Sequence, residues 1–436
     1  MIRATRLTAV IFLVGITAGS VSAAEPPTDA NAPRELADYL RYAALHNAGL
    51  KAAFEQWKAA LEQVPQAGAL PDPRFTYSYF IEEVQTRVGP QEQRLGIMQV
   101  FPWFGTIEAR TDAAASAAKA ARMRFESAKL SLLYEVKAAF YEYVYLARAI
   151  EVARENLSLI QHFEEVARAR YVAAQAQHPD IIRAQVELAI LEDKLKALEA
   201  LRTPVVARLN SVLNRPAGDP LPWPERPQMP EVKPKRGIVL DLLRQKNPEL
   251  GAMDFDLASA VSRIDLAKKQ SYPQIGIGAD WIDTGEATMA GVSDSGKDPV
   301  ILMFSMNVPI WRKSYRAAVL QAQAAARRVR HERKDLENSL IARAERVLYD
   351  FEDSGRKVRL YGEVLVPKAE ELVGASESAY TAGTIDFFSL IDAQQTLLQF
   401  QLEHERAWTN RRQRLADLER LVGVHLTGGG VLPAPN

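Results

Sequence analysis

The stretch Tyr380-Thr-Ala-Gly-Thr-Ile-Asp-Phe-Phe-Ser-Leu-Ile-Asp-Ala-Gln-Gln395 separates two very long helical patterns. Gly383 tolerates the positive φ that commonly ends a helix. Thr384 or Asp386 can cap the helix that follows, because their side-chain oxygens accept hydrogen bonds from free backbone N–H groups. The stretch is therefore predicted to be the tip of a helical hairpin.

A weaker copy of this stretch lies earlier in the chain, at Tyr171-Val-Ala-Ala-Gln-Ala-Gln-His-Pro-Asp-Ile-Ile-Arg-Ala-Gln185. It also begins with Tyr and interrupts a helical pattern, and it resumes with apolar residues shortly before Ala-Gln. Ala174 stands where the later copy has Gly383. Two copies of one hairpin tip indicate a duplicated chain.

Each half of the chain shows the same order of patterns: a helix, two strands, a long helix, a tip and a second long helix. In the strands, apolar residues alternate with their neighbours, as Phe75, Tyr77 and Tyr79 do in the first. The four strands are predicted at residues 74–83, 93–101, 274–283 and 299–308.

The long helices carry a coiled-coil pattern. Residues 108–170 contain neither Pro nor Gly, and apolar residues recur in steps of four and three from Leu132, Val136 and Ala139 onward. About 60 residues rising 1.5 Å each give roughly 90 Å of helix. The helical hairpins are predicted at 106–213 and 312–422, with a bend at Pro367.

The N-terminus resembles a secretory signal peptide. Arg3 and Arg6 precede an apolar run, and small residues follow at Ser22 and Ala23. No other stretch reaches about 18 uninterrupted apolar residues, so no transmembrane helix is predicted. The predicted divisions are a signal peptide (1–24), a first repeat (25–214), a Pro-rich connector (215–236), a second repeat (237–424) and a flexible tail (425–436).

Composition excludes several classes of protein. Lys+Arg and Asp+Glu both number 54 among 436 residues, so the chain lacks the basic excess of a nucleic-acid-binding protein. There is no cysteine, which excludes disulfides and thiolate metal sites. The six histidines form no cluster with ligand spacing, so neither a metal nor a cofactor is predicted. The motifs G-x-x-x-x-G-K-[ST], H-E-x-x-H and G-x-S-x-G are all absent, so the chain is predicted not to be an enzyme.

Four apolar-faced strands in an exported chain create a structural problem. They cannot close a membrane barrel alone, because lipid does not tolerate open strand edges. Three chains would supply twelve strands, which lies within the range of membrane barrels. The predicted fold is therefore mainly α with a membrane β-barrel: a homotrimer with a 12-strand β-barrel and a 12-helix α-barrel.

Taken in order, these features resemble the TolC family of outer-membrane efflux proteins over essentially the whole mature chain. The resemblance rests on the duplicated plan, the tip motif from Tyr380 to Gln394 and the strand exit Pro102-Trp-Phe-Gly105. The sequence of this strand exit also resembles that of the heavy-metal (Cus/Czc-type) branch of the family. The resemblance implies a passive export channel that contacts outer-membrane lipid and, in the periplasm, an adaptor (membrane fusion protein) and an inner-membrane pump.

The resemblance also implies a gate at the periplasmic tips. The residues carried over to this gate are Asp180, Tyr380, Gly383, Thr384, Ile385, Ser389 and Asp392. Ile385 stands at a position where the family has a gate arginine, and Ser389 stands at an acidic position. A ring of Asp392 from three chains would attract cations. The alternative is that Asp180 and Asp392 are solvated residues at helix starts.

Two other functions are compatible with all or part of these sequence patterns. A protein-secretion duct would have the same architecture, and a periplasmic coiled-coil scaffold would explain the helices but not the strands. Metal export is one candidate activity, although Met98, Met303 and Met306 lie on predicted strands and fit packing better than copper binding.

If Asp392 lines the gate, Asp392→Ala is expected to change both the conductance and the cation preference in planar bilayers, because a ring of like charges attracts counter-ions. Unchanged values for both quantities would remove Asp392 from the gate.

Overall fold

A computed structural model describes residues 35–227, 232–427 and 430–432. The predicted signal peptide lies outside the described residues. The first half contains α1 (Leu36–His46), α2 (Ala48–Gly68), β1 (Arg74–Thr86), β2 (Gly89–Phe101), α3 (Thr106–Val172), α4 (His178–Ala200) and α5 (Arg202–Leu213). The second half contains α6 (Arg236–Lys246), α7 (Pro248–Lys269), β3 (Ile275–Thr284), β4 (Val300–Met306), α8 (Arg312–Arg359), a π-helical turn (Leu360–Leu365), α9 (Val366–Ala382), α10 (Phe387–Val422), β5 (His425–Thr427) and β6 (Gly430–Leu432).

Strands β1 to β4 form one antiparallel sheet in sequence order, so β2 and β3 join the two repeats. The register aligns Phe75, Ile97, Ala279 and Leu302 in one row across the four strands. Phe75 is 68% exposed and Leu302 is 85% exposed. One face of the sheet is thus both apolar and open.

The first β-hairpin is tighter than the sequence pattern indicates. We expected strands at 74–83 and 93–101 with a turn near Gly89, but β1 continues to Thr86, which pairs directly with Gly89. The register shifts between Tyr79 and Val84, and this irregularity interrupts the alternation on which the prediction depended.

Helix α3 is the central element of the helical part. Helices α2, α4, α7 and α10 all pack along it. The small residues of its first third allow close approach of α7, where the Ser259 hydroxyl donates to the Ala113 carbonyl at 2.8 Å. Farther along, Phe140 and Tyr143 are fully buried and form the centre of an apolar cluster with Tyr39 of α1.

Three segments differ from the sequence-based expectation. The irregularity expected at Pro367 is the π-helical turn that precedes it. The returning helix of the first hairpin is divided at Leu201 into α4 and α5. Part of the tail that we expected to be loose forms the β5–β6 hairpin, because Gly423 ends α10 with a φ of 75° and turns the chain back against Lys246. The last four residues of the tail lie outside the described part of the chain.

No helix within residues 35–227, 232–427 and 430–432 has both the length and the apolar content needed to cross a membrane.

The two repeats share an asparagine cap. The Asn47 carboxamide accepts the Leu50 N–H at 2.9 Å and donates to the Val212 carbonyl at 2.8 Å. The Asn247 carboxamide accepts the Leu250 N–H at 3.0 Å and donates to the Leu421 carbonyl at 2.9 Å. In each repeat, one side chain therefore caps a short helix and ties it to the end of the returning helix.

Replacing Asn247 with Ala is expected to lower the free energy of unfolding by about 2 kcal/mol, because it removes a cap and leaves the buried Leu421 carbonyl without its donor. Denaturant unfolding measures the loss. Asn247→Ser is the matched comparison, since its hydroxyl can still accept the Leu250 N–H without adding a buried charge, and it should lose less. Equal losses in the two variants would contradict the role assigned to capping.

Candidate functional site

The second tip ends α9 with a Schellman motif. The Gly383 N–H donates to the Tyr380 carbonyl and the Thr384 N–H donates to the Ala379 carbonyl, both at 2.9 Å. Gly383 has a φ of 77°, in the left-handed region. The Thr384 hydroxyl also donates to the Ala379 carbonyl, at 3.0 Å. Gly383 and Thr384 therefore build the turn itself.

Helix α10 then begins with a side-chain cap. The Asp386 carboxylate accepts the Ser389 N–H at 2.9 Å and the Ser389 hydroxyl at 2.7 Å. These bonds, led by the one from the hydroxyl, lower the pKa of Asp386. Ile385 joins the same apolar cluster as Leu390, five residues on, as in a hydrophobic staple. Ile385 and Ser389 thus stabilise the start of α10.

The first tip repeats the turn with a less suitable residue. The Ala174 N–H donates to the Tyr171 carbonyl at 2.9 Å, and the Gln175 N–H donates to the Arg170 carbonyl at 2.8 Å. Ala174 has a φ of 55°, so it adopts the same left-handed conformation as Gly383. Gln177, at the start of α4, provides no side-chain cap.

One hydrogen bond joins the two tips. The Tyr380 hydroxyl donates to Asp180 Oδ2 at 3.2 Å. Tyr380 is 2% exposed, and its ring contacts that of Phe387 with 5.2 Å between centroids. Burial, together with the nearby Asp180 carboxylate, raises the pKa of Tyr380 to about 12. The hydroxyl therefore remains a donor throughout the neutral range.

Arg170 is part of this site, and the sequence analysis missed it. Its guanidinium carbon lies 4.6 Å from the centroid of the Tyr380 ring, and its Nη2 donates to the Gln175 carbonyl at 3.1 Å. Its Nε and Nη1 are buried and have no hydrogen-bond partner among the described residues. The first tip motif begins at Tyr171, one residue after Arg170, so a comparison of the two motifs could not reveal Arg170.

Asp392 does not belong to this group. It is exposed on α10, and its carboxylate makes no hydrogen bond or ion pair with other described residues. Other contacts join α4 to α10 near the tips: the Gln395 amide donates to Glu187 Oε2 at 2.8 Å, and the Arg183 guanidinium lies 4.3 Å from the centroid of the Phe388 ring.

In the described part of the chain, no three His, Asp or Glu side chains are grouped in a way that could hold a metal ion.

The residues at positive φ in the two tip turns lead to opposite predictions for two substitutions. Ala174→Gly is expected to stabilise the first tip by about 1 kcal/mol, and Gly383→Ala is expected to destabilise the second by a similar amount, because a Cβ is unfavourable at positive φ. Hydrogen exchange at the tip amides measures both changes. Changes of the same sign in the two variants would show that φ does not control tip stability.

Comparison with known proteins agrees with this architecture. The family model described as "Outer membrane efflux protein" matches residues 40–215 and 239–424. The chain is 22% identical over 332 residues to the pyoverdine export outer membrane protein OpmQ of Pseudomonas putida, covering 74% of this chain and 67% of that protein. It is 21% identical over 403 residues to the cobalt-zinc-cadmium resistance protein CzcC of Cupriavidus metallidurans, covering 91% and 92%.

Solved structures share the fold. The outer-membrane channel OprN superimposes with a TM-score of 0.76 at 16% identity, covering 94% of this chain and 98% of that chain. The resemblance inferred from the sequence is confirmed, since the family model spans most of both repeats. The chain belongs to the outer membrane efflux protein family, whose members are non-enzymatic channels of the Gram-negative outer membrane with a helical part in the periplasm.

Proposed function

We propose that three copies of this chain form a passive export duct of a tripartite efflux system. The observation that carries the proposal is the sheet, which has an exposed apolar face and whose edge strands β1 and β4 pair with no further described strand. Three sheets joined edge to edge would make twelve strands with the apolar face toward lipid. The four long helical segments of each chain, α3, α4–α5, α8–α9 and α10, would supply a twelve-helix tube.

The partners follow from the family and the position of the tips. The tips lie at the far end of α3 and α9 from the strands, so in this assembly they would reach deepest into the periplasm. A periplasmic adaptor and an inner-membrane pump would meet the duct there. The pump supplies the energy, since the chain has no nucleotide-binding motif.

Purified protein provides the first test. A channel would be extracted from the outer membrane by detergent as a heat-resistant trimer and would conduct ions in planar bilayers. Recovery as a soluble periplasmic monomer without conductance would reject the proposal in favour of a scaffold.

The proposed cargo is small solutes, including metal cations. This rests on the similarity to CzcC over nine-tenths of both chains and on the strand-exit sequence from Pro102 to Gly105. Deleting the gene in its native host and measuring tolerance to cobalt, zinc and cadmium tests the metal cargo. Unchanged tolerance to all three metals would exclude them as cargo.

We further propose that the Tyr380–Asp180 bond helps to hold the tips closed. The bond connects the two helical hairpins of one chain, and Arg170 supports it by stacking on the Tyr380 ring. Asp392, which is exposed and unpaired with described residues, would add a negative ring at the mouth.

Tyr380→Phe tests this latch, because it removes the hydroxyl and keeps the ring. Losing a hydrogen bond to a charged acceptor, worth ~1.5 kcal/mol, should raise the population of the conducting state about tenfold. Single-channel recording measures that population. Tyr349→Phe is the matched control, since Tyr349 is 62% exposed on α8. Similar open probabilities in Tyr380→Phe and wild type would reject the latch.

A further inference from the structure

The face of the sheet opposite the apolar row is polar and crowded. Its central row across the four strands is Thr76, Gly96, Asp280 and Ile301. Along β3, the residues of this face are buried, whereas those of the apolar face are partly or largely exposed. In the proposed barrel, with the apolar face toward lipid, this second face would line the lumen.

An ion pair occupies the middle of this second face. Arg94 Nη2 donates to Asp280 Oδ2, and Arg94 also lies 3.8 Å from the Met303 sulfur. The Asp280 side chain is 3% exposed and that of Arg94 is 40% exposed. The carboxylate is therefore enclosed, and its charge is balanced by a guanidinium that still meets solvent.

Gly96 makes room for this pair, and Gly278 makes room for the backbone of the neighbouring strand β2. A Cβ on Gly96 would overlap Asp280 Oδ1, and a Cβ on Gly278 would approach the Ile97 carbonyl oxygen to 2.7 Å. Neither glycine has a positive φ, so the reason for glycine at these positions is space rather than backbone conformation. The sheet is thus built to accept the Asp280 carboxylate against its surface.

We propose that the Arg94–Asp280 pair sets the ion selectivity of the barrel lumen, an inference that rests on the proposed channel. Three copies would place three guanidinium groups and three carboxylates at one level of the lumen, with no net charge. Removing either member would leave three like charges there, which would favour ions of the opposite sign.

Three variants test the proposal by reversal potential in a KCl gradient across planar bilayers. Arg94→Gln should raise the cation-to-anion permeability ratio at least about fivefold, because a single unit charge about 8 Å from the ion path in water already has that effect and three copies contribute. Asp280→Asn should lower the ratio by a similar factor. The double variant, which removes both charges, should return to the wild-type ratio.

Arg236→Gln is the matched control, because Arg236 of α6 forms an ion pair with Glu345 of α8, outside the sheet. It should leave the ratio unchanged. If all variants conduct and neither Arg94→Gln nor Asp280→Asn changes the ratio, the inference is overturned and the channel stands. If the wild-type protein does not conduct, the channel itself is overturned and the inference with it.

A second measurement remains available if the single-charge variants fail to assemble. The chain has no cysteine, so an introduced thiol is the single target of a charged thiol reagent. Ser305→Cys lies on the same face as Asp280, and Leu302→Cys lies on the apolar face. The reagent should reduce conductance of Ser305→Cys and spare Leu302→Cys; the reverse result would place the ion pair outside the lumen.

Discussion

Backbone hydrogen bonding at the edges of the four-stranded sheet is the constraint on which the rest of this molecule depends. Strands β1 and β4 are the outer strands, and no further described strand pairs with them. Unpaired edges promote association with other strands, and an exposed apolar face as large as this one is unfavourable in water. The proposed duct would solve both problems, because identical sheets joined edge to edge would leave no open edge and would turn the apolar face toward lipid. The long helices then follow as the continuation of each strand pair.

The two repeats contain equivalent helix caps and tip turns. The differences between the copies show which of the two tips is better stabilised. Asn47 and Asn247 make the same pair of hydrogen bonds in the two repeats. The tips share a Schellman turn, but one uses Gly383 and the other uses Ala174 at positive φ. The second tip also has the Asp386 cap, which the first lacks. The first tip is accordingly the less stable turn, and the bond from Tyr380 attaches it to the better-capped one.

Much of the architecture could be predicted from the sequence because it depends on local patterns. The alternation of Phe75, Tyr77 and Tyr79 identifies a strand wherever it lies in the fold, and the break at Gly383 identifies a tip. The Arg170–Tyr380 stacking and the Arg94–Asp280 pair could not be found in this way, since each depends on elements brought together by packing. The sequence did not reveal the local contacts of two residues carried over to the gate: Ile385 packs in the apolar cluster that contains Leu390, and the Ser389 hydroxyl donates to Asp386.

Asp392 has no ion-pair partner among the described residues and Asp280 has one, and the different exposure of the two carboxylates to water explains this difference. Asp392 stands in contact with water on α10, where an unpaired charge has little energetic cost. Asp280 lies on a strand whose other face would meet lipid, and a buried carboxylate there without a partner would be strongly unfavourable. Arg94 removes that cost, and it does so from the neighbouring strand, across the β2–β3 pairing that joins the repeats. The balancing of the Asp280 charge and the joining of the two repeats are therefore achieved by the same pair of strands.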